Sequence, residues 1–165
     1  MAGARTGIVA AVAVGTLMCG LAAQAAHGAI KVTTTDGTEV ASFDKLSCWT
    51  DKAGFHARAV AKGWRLVVRI QPFSGFKTYP LEYGYGEDKS PGAFFLDPPG
   101  GGNTFSNAQE PPPVAPRLTL GGAIQFPKGR KLIRLAFPVT YDSAGDSPNI
   151  VAVVGTASCT YPRKR

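Results

Sequence analysis

The chain has 165 residues, 18 Lys and Arg against 11 Asp and Glu, and a net charge of +7. This length allows one ordinary domain with a real core and leaves no room for a second. The mild basic excess means solubility and weak attraction to anionic envelope polymers or lipid head groups before it means nucleic acid, and a scattered solvated surface before either.

Arg5 is the only charge near the start, and Ile8 to Met18 follow without another. That run has the length of a signal-peptide core and falls short of the roughly 20 apolar residues of a spanning helix. Ala23-Gln24-Ala25 and Ala26-His27-Gly28 both fit a small-x-small cleavage pattern, so residues 1–25 read as a cleavable secretory signal peptide cut after Ala25 or Gly28. Two alternatives stay open: an uncleaved anchor, and lipidation of Cys19. Thr16-Leu17-Met18 lacks the small residue that lipoprotein processing expects before the cysteine, which makes lipidation the minor reading. No later stretch is apolar enough to span, because Arg65, Arg69 and Arg134 interrupt the best ones. Losing 25 of 165 residues leaves 140 and removes one basic residue and no acidic one, so the net charge falls from +7 to +6. The expected organisation is a single domain over 26–162 with a basic tail, Arg163-Lys164-Arg165, in a secreted or cell-surface protein.

Period-two alternation predicts an all-β domain, an antiparallel sandwich of about seven to nine short strands, or a barrel. Ile30–Thr35 and Glu39–Cys48 come first. Gly54–Ala61 and Trp64–Ile70 form a hairpin through Lys62-Gly63, with Phe55, Ala57, Ala59, Trp64, Leu66, Val68 and Ile70 inward and Arg65 and Arg69 outward. Thr78–Tyr85, Ala93–Leu96, Arg117–Leu120 and Ala123–Phe126 are shorter candidates. Proline and glycine break residues 86–116 into long loops. Lys131–Thr140, with Ile133, Leu135, Phe137 and Val139 inward, pairs as a hairpin with Asn149–Cys159, with Val151, Val153, Ala157 and Cys159 inward. Pro138 predicts an edge strand or a bulge.

Cleavage leaves Cys48 and Cys159 as two thiols in an oxidising compartment, which predicts a disulfide across nearly the whole domain. A nucleophile system needs an imidazole, and the mature chain offers only His56, plus His27 after the earlier cut; His56 reads as a solvent-facing or cross-strand residue. Two half-cystines and one usable histidine make no metal site. No cofactor is expected. Glu82, Glu87, Asp88 and Asp97 offer a carboxylate pair for glycoside chemistry only at the level any acidic set would. The glycine runs at 84–86 and 100–102 lack the context of a phosphate cradle and read as turns. Tyr79, Tyr83 and Tyr85, with Phe76, Phe94 and Phe95, crowd residues 73–96; Tyr79, Tyr83, Tyr85, Phe94 and Phe95 are candidate ligand-binding rings, with core packing the better reading.

Val32-Thr33-Thr34-Thr35-Asp36-Gly37, then Ser47-Cys48, and finally Ser147-Pro148 through Val151-Ala152-Val153-Val154 to Ser158-Cys159, resemble the mycobacterial LpqH family of small surface lipoprotein antigens. The aromatic and proline-rich middle has no counterpart there, and Cys19 lacks that family's lipidation context. The resemblance implies a β-sandwich exported to the actinobacterial surface or medium, with no catalytic residues to carry over.

The reading favoured by the whole sequence is a monomeric, non-enzymatic, secreted or envelope-associated binding module. Its partner is an unidentified envelope or extracellular one and not nucleic acid, and it meets a membrane only if lipidated at Cys19. The alternatives are a carrier of a lipid or small apolar ligand, an envelope-glycan hydrolase with a carboxylate pair, and a surface protein with no ligand.

Overall fold

The computed structural model describes residues 28–82, 91–107, 122–142 and 149–162. The expected signal segment with Cys19, the strand expected at 117–120, Tyr83, Tyr85, Glu87, Asp88 and the expected basic tail lie outside the described residues. Twelve strands follow one another: β1 (Ile30–Thr34), β2 (Glu39–Phe43), β3 (Lys45–Asp51), β4 (Gly54–Ala61), β5 (Trp64–Ile70), β6 (Tyr79–Leu81), β7 (Gly92–Asp97), β8 (Phe105–Ser106), β9 (Gly122–Gln125), β10 (Pro127–Arg130), β11 (Leu132–Asp142) and β12 (Ile150–Thr160). No helix occurs among the described residues.

The expected all-β fold is present as one sheet curled on itself, in the order β2-β1-β12-β3-β4-β5-β7-β8-β11-β9-β6. β11 also pairs β12, so the path from β12 through β3, β4, β5, β7, β8 and β11 returns to β12. Closure leaves the short β2 and β6 as the terminal strands among those described, and short edges resist pairing with other chains. β1–β2 extends from the side of β12, and β9–β6 from the side of β11. The described pairings are antiparallel except β12–β3, which is parallel over Ser158–Thr160.

Strands β4 and β5 match the expected bounds, and their turn explains why. Lys62 and Gly63 both have positive φ, 51° and 80°, the two-residue turn whose twist suits a hairpin. Leu66, Val68 and Ile70 are fully buried and Arg65 and Arg69 exposed, as the alternation requires.

Three local features depart from the expectation. The single strand expected over 39–48 is broken at Asp44, whose carbonyl accepts from the Ser158 amide at 2.9 Å. There the chain leaves β1 and turns to lie along β12. Second, the register of β11 against β12 shifts between Phe137 and Thr140, so Pro138 sits in the bulge that was one of its two expected settings, and the departure lies in the residues that follow it. An extra residue flips the side-chain parity. Thr140, and not the expected Val139, is therefore fully buried, and its hydroxyl donates to the Ser106 carbonyl at 3.3 Å. Third, the loop-rich middle contains the short β8, followed by Asn107, which is fully buried. Asn107 accepts from the Phe94 amide at 2.9 Å and donates to the Gly92 and Glu82 carbonyls at 3.0 Å each, so one side chain serves three backbone groups.

Cys48 and Cys159 form the expected disulfide, with Cα atoms 5.5 Å apart. Such a bond belongs to an oxidising, extracytoplasmic environment.

A cationic and aromatic sheet face as candidate functional site

The aromatic residues nominated by the sequence divide between two places. Tyr79 is 2% exposed, and its hydroxyl donates to the Gly75 carbonyl at 2.7 Å and accepts from the Ser74 amide at 2.9 Å. Its ring joins Phe55, Phe73, Phe76 and Phe126 in a cluster with centroids 5.0 to 6.4 Å apart. That cluster fastens the 71–78 loop over one end of the core. Phe94 is fully buried against Phe137, with centroids 4.9 Å apart. Phe95, one residue on, points to the other side of the sheet and is half-buried.

Phe95 belongs to an outer face spread over β3, β4, β5 and β7. Register aligns Ser47, Arg58, Val67 and Phe95 in one cross-strand row, and Trp49, His56 and Arg69 in the next. Neighbours in such rows stand close enough for side chains to touch. The Trp49 and His56 rings stack at 5.1 Å with an interplanar angle of 12°. The Arg58 guanidinium lies 5.6 Å from the Trp49 centroid, and that of Arg69 lies 5.5 Å from Phe95. A cation over a ring at this distance contributes about 0.5 to 1 kcal/mol at an exposed site and orients the guanidinium plane. His56 is thus a cross-strand residue, as expected; its Nε2 is 3.2 Å from Asp51. The Ala53 amide, with help from His56, holds the Asp51 carboxyl below its usual range.

A third row differs. Arg65 directs Nε and Nη2 to the same Asp97 oxygen, at 2.7 and 2.6 Å, and Thr104 donates to the other at 2.6 Å. Asp97 is therefore fully occupied, and Glu87 and Asp88, which the sequence grouped with it, are outside the described residues. Arg58 and Arg69, by contrast, have no carboxylate within 4.0 Å among the described residues. Between the rows, Arg65, Val67, Arg69, Phe95, Asp97 and Thr104 line a shallow depression of about 270 Å³. Val60, at the end of this face, is 72% exposed.

Two free guanidinium groups, each laid over a ring, can donate paired hydrogen bonds to a carboxylate or phosphate. The neighbouring rings offer apolar planes for a sugar. No set of three His, Cys, Asp or Glu side chains close enough to hold a metal ion occurs among the described residues. Of this face the sequence singles out Arg65, Arg69, Phe95, His56 and Asp97, without placing them together. Alternation along β3 and β4 would also have placed Trp49, His56 and Arg58 outward, but bringing them beside Arg69 needs the inter-strand register.

The fold and this face together define the class: a disulfide-closed all-β domain with a cationic, ring-backed outer sheet surface. No protein-family model, no curated protein and no solved structure matches the chain.

Proposed function

We propose that this protein is an exported, non-enzymatic binding module, and that the outer face of β3–β4–β5–β7 binds an anionic envelope polymer, a glycan bearing carboxylate or phosphate groups. The observation that carries the reading is the pair Arg58 and Arg69, both exposed, without a carboxylate partner among the described residues and laid over Trp49 and Phe95. The disulfide and the apolar N-terminal run support export, and the resemblance of the two cysteine-bearing ends to LpqH proteins agrees with it. The hydrolase reading draws no support from Asp97, which Arg65 and Thr104 hold, and the carrier reading none from Phe94, which packs into the core.

The test is isothermal titration with an acidic polysaccharide and with neutral dextran, comparing the wild type with Arg58→Ala/Arg69→Ala. We expect binding of the acidic polymer only, weakening with salt and at least about tenfold weaker in the variant, since each lost charged hydrogen bond costs about 1.5 to 3 kcal/mol. Equal binding of both polymers, or an unaltered variant, would sink the reading.

A further inference from the structure

A second cationic surface lies at one pole of the domain, where β12 ends. β12 is flanked there by both of its neighbours: Ser158 lies opposite Lys45 on β3 and Leu132 on β11. Lys131 precedes Leu132, and its carbonyl accepts from the Cys159 amide at 2.9 Å. The turn before it, closed by a hydrogen bond from the Lys131 amide to the Lys128 carbonyl at 3.3 Å, carries Lys128 and Arg130. Arg130 covers the Tyr161 ring at 4.5 Å. Lys45, Lys128, Arg130 and Lys131 are all exposed and without a carboxylate within 4.0 Å among the described residues; Asp44 is the acidic side chain placed beside them. Four residues past Cys159 the sequence adds Arg163-Lys164-Arg165.

The direction in which the chain reaches the sheet gives this pole a meaning. Ile30 pairs with Gly155 and Thr34 with Val151, so β1 runs away from the basic pole and the chain upstream of Ile30 comes from it. Ala29 crosses β12 so closely that a Cβ on Gly155 would lie 2.0 Å from its carbonyl oxygen. The apolar run at 8–18, with Cys19 after it, is therefore joined to the domain on the side where the cations collect. From Cys19 to Gly28 the chain reaches at most about 30 Å.

We propose that the basic pole docks on an anionic lipid headgroup surface, holding the domain with the end of β12 toward the membrane. The inference rests on export with an N-terminal anchor kept, as the uncleaved apolar run or a lipid on Cys19, the two alternatives to cleavage after Ala25 or Gly28, and is independent of the sheet face around Arg58 and Arg69. One hydrophobic chain holds a protein on a bilayer only marginally, and a polybasic patch is a sufficient second signal. A phosphate-rich surface attracts cations within a Debye length, and the chain upstream of Ile30 joins the domain at this pole and not at the opposite one.

The test uses the full chain in sedimentation with vesicles of pure phosphatidylcholine and of phosphatidylcholine with phosphatidylglycerol. The apolar N-terminal run contributes to both, so the difference between them reads the headgroup charge. We expect tighter binding to the anionic vesicles, a gap that closes at high salt, and a loss of about fivefold per cation in Lys128→Gln, Arg130→Gln and Lys131→Gln. Unchanged thermal unfolding of these exposed-site variants excludes misfolding as the cause. Equal binding to both vesicles, or a gap that survives the triple variant, would overturn the proposal. So would a gap that disappears only in Arg58→Ala/Arg69→Ala, which would transfer headgroup binding to the sheet face. Failure of the acidic polysaccharide to bind bears on the sheet face alone.

Discussion

Cys48 and Cys159 are bonded across the one parallel strand pair described in the sheet, where Cys159 lies opposite Leu46, two residues before Cys48. The bond therefore locks the short seam at which the curled sheet returns to its own last strand. Its sequence separation of 111 residues makes it a long-loop crosslink, for which the chain-entropy account gives about 4 to 5 kcal/mol. Cys48→Ser/Cys159→Ser should lose most of that in urea unfolding, and reductant should destabilise the wild type and leave the variant unchanged. A variant as stable as the wild type would refute the seam's dependence on the bond.

Asn107→Ala should cost about 3 kcal/mol, because it removes three hydrogen bonds, to the Phe94 amide and the Gly92 and Glu82 carbonyls, made by a fully buried side chain. Asn107→Asp keeps the acceptor for Phe94 but sets an oxygen against two carbonyls, so it should fare no better at neutral pH. Denaturant midpoints of the two variants check this, and a loss below about 1 kcal/mol in both would contradict it.

These features mark how far the sequence was legible. The β4–β5 hairpin was, because its alternation and its turn residues agree at every position. The break at Asp44 was not, since nothing local interrupts the strand: it exists because β12, more than a hundred residues on, offers a new partner. Pro138 announced a bulge, yet not which neighbour would turn inward; Thr140 can be buried only because the Ser106 carbonyl is there to receive its hydroxyl. Asn107 reads as one more polar residue in a loop. The candidate face followed the same rule, for alternation sends Arg69 outward and only register sets it beside His56 and Phe95.

Gly155→Ala should be strongly destabilising, by about 3 kcal/mol. Its φ of +146° and the Ala29 carbonyl oxygen, 2.0 Å from where a Cβ would stand, leave no place for a methyl group without moving β1. Gly129→Ala has a positive φ and open space around it, so it should cost about 1 kcal/mol. Equal melting temperatures for the two variants would contradict the close crossing of Ala29 over β12.

Burial raises the Tyr161 phenol above its ordinary value, and the Arg130 charge partly opposes the shift. With the folded pKa above the unfolded one, the contribution to stability is complete below about pH 10 and is lost as pH rises through the folded value. The phenolate absorbance of the folded protein should therefore include one tyrosine titrating late, and Arg130→Gln should delay it further. An earlier titration in Arg130→Gln would contradict the stacking of Arg130 on this ring.

β12 is the last strand of the chain, and it is the one that touches β1, β3 and β11 together. A nascent chain that stops short of residue 150 can form the β3–β4–β5 meander but has nothing on which to close it. Closure of the sheet must wait for residues 150–160, and its dependence on pairings far apart in sequence makes it slow. Among the described strands the one that completes the sheet comes latest in chain order, so its pairings act as a delay on closure.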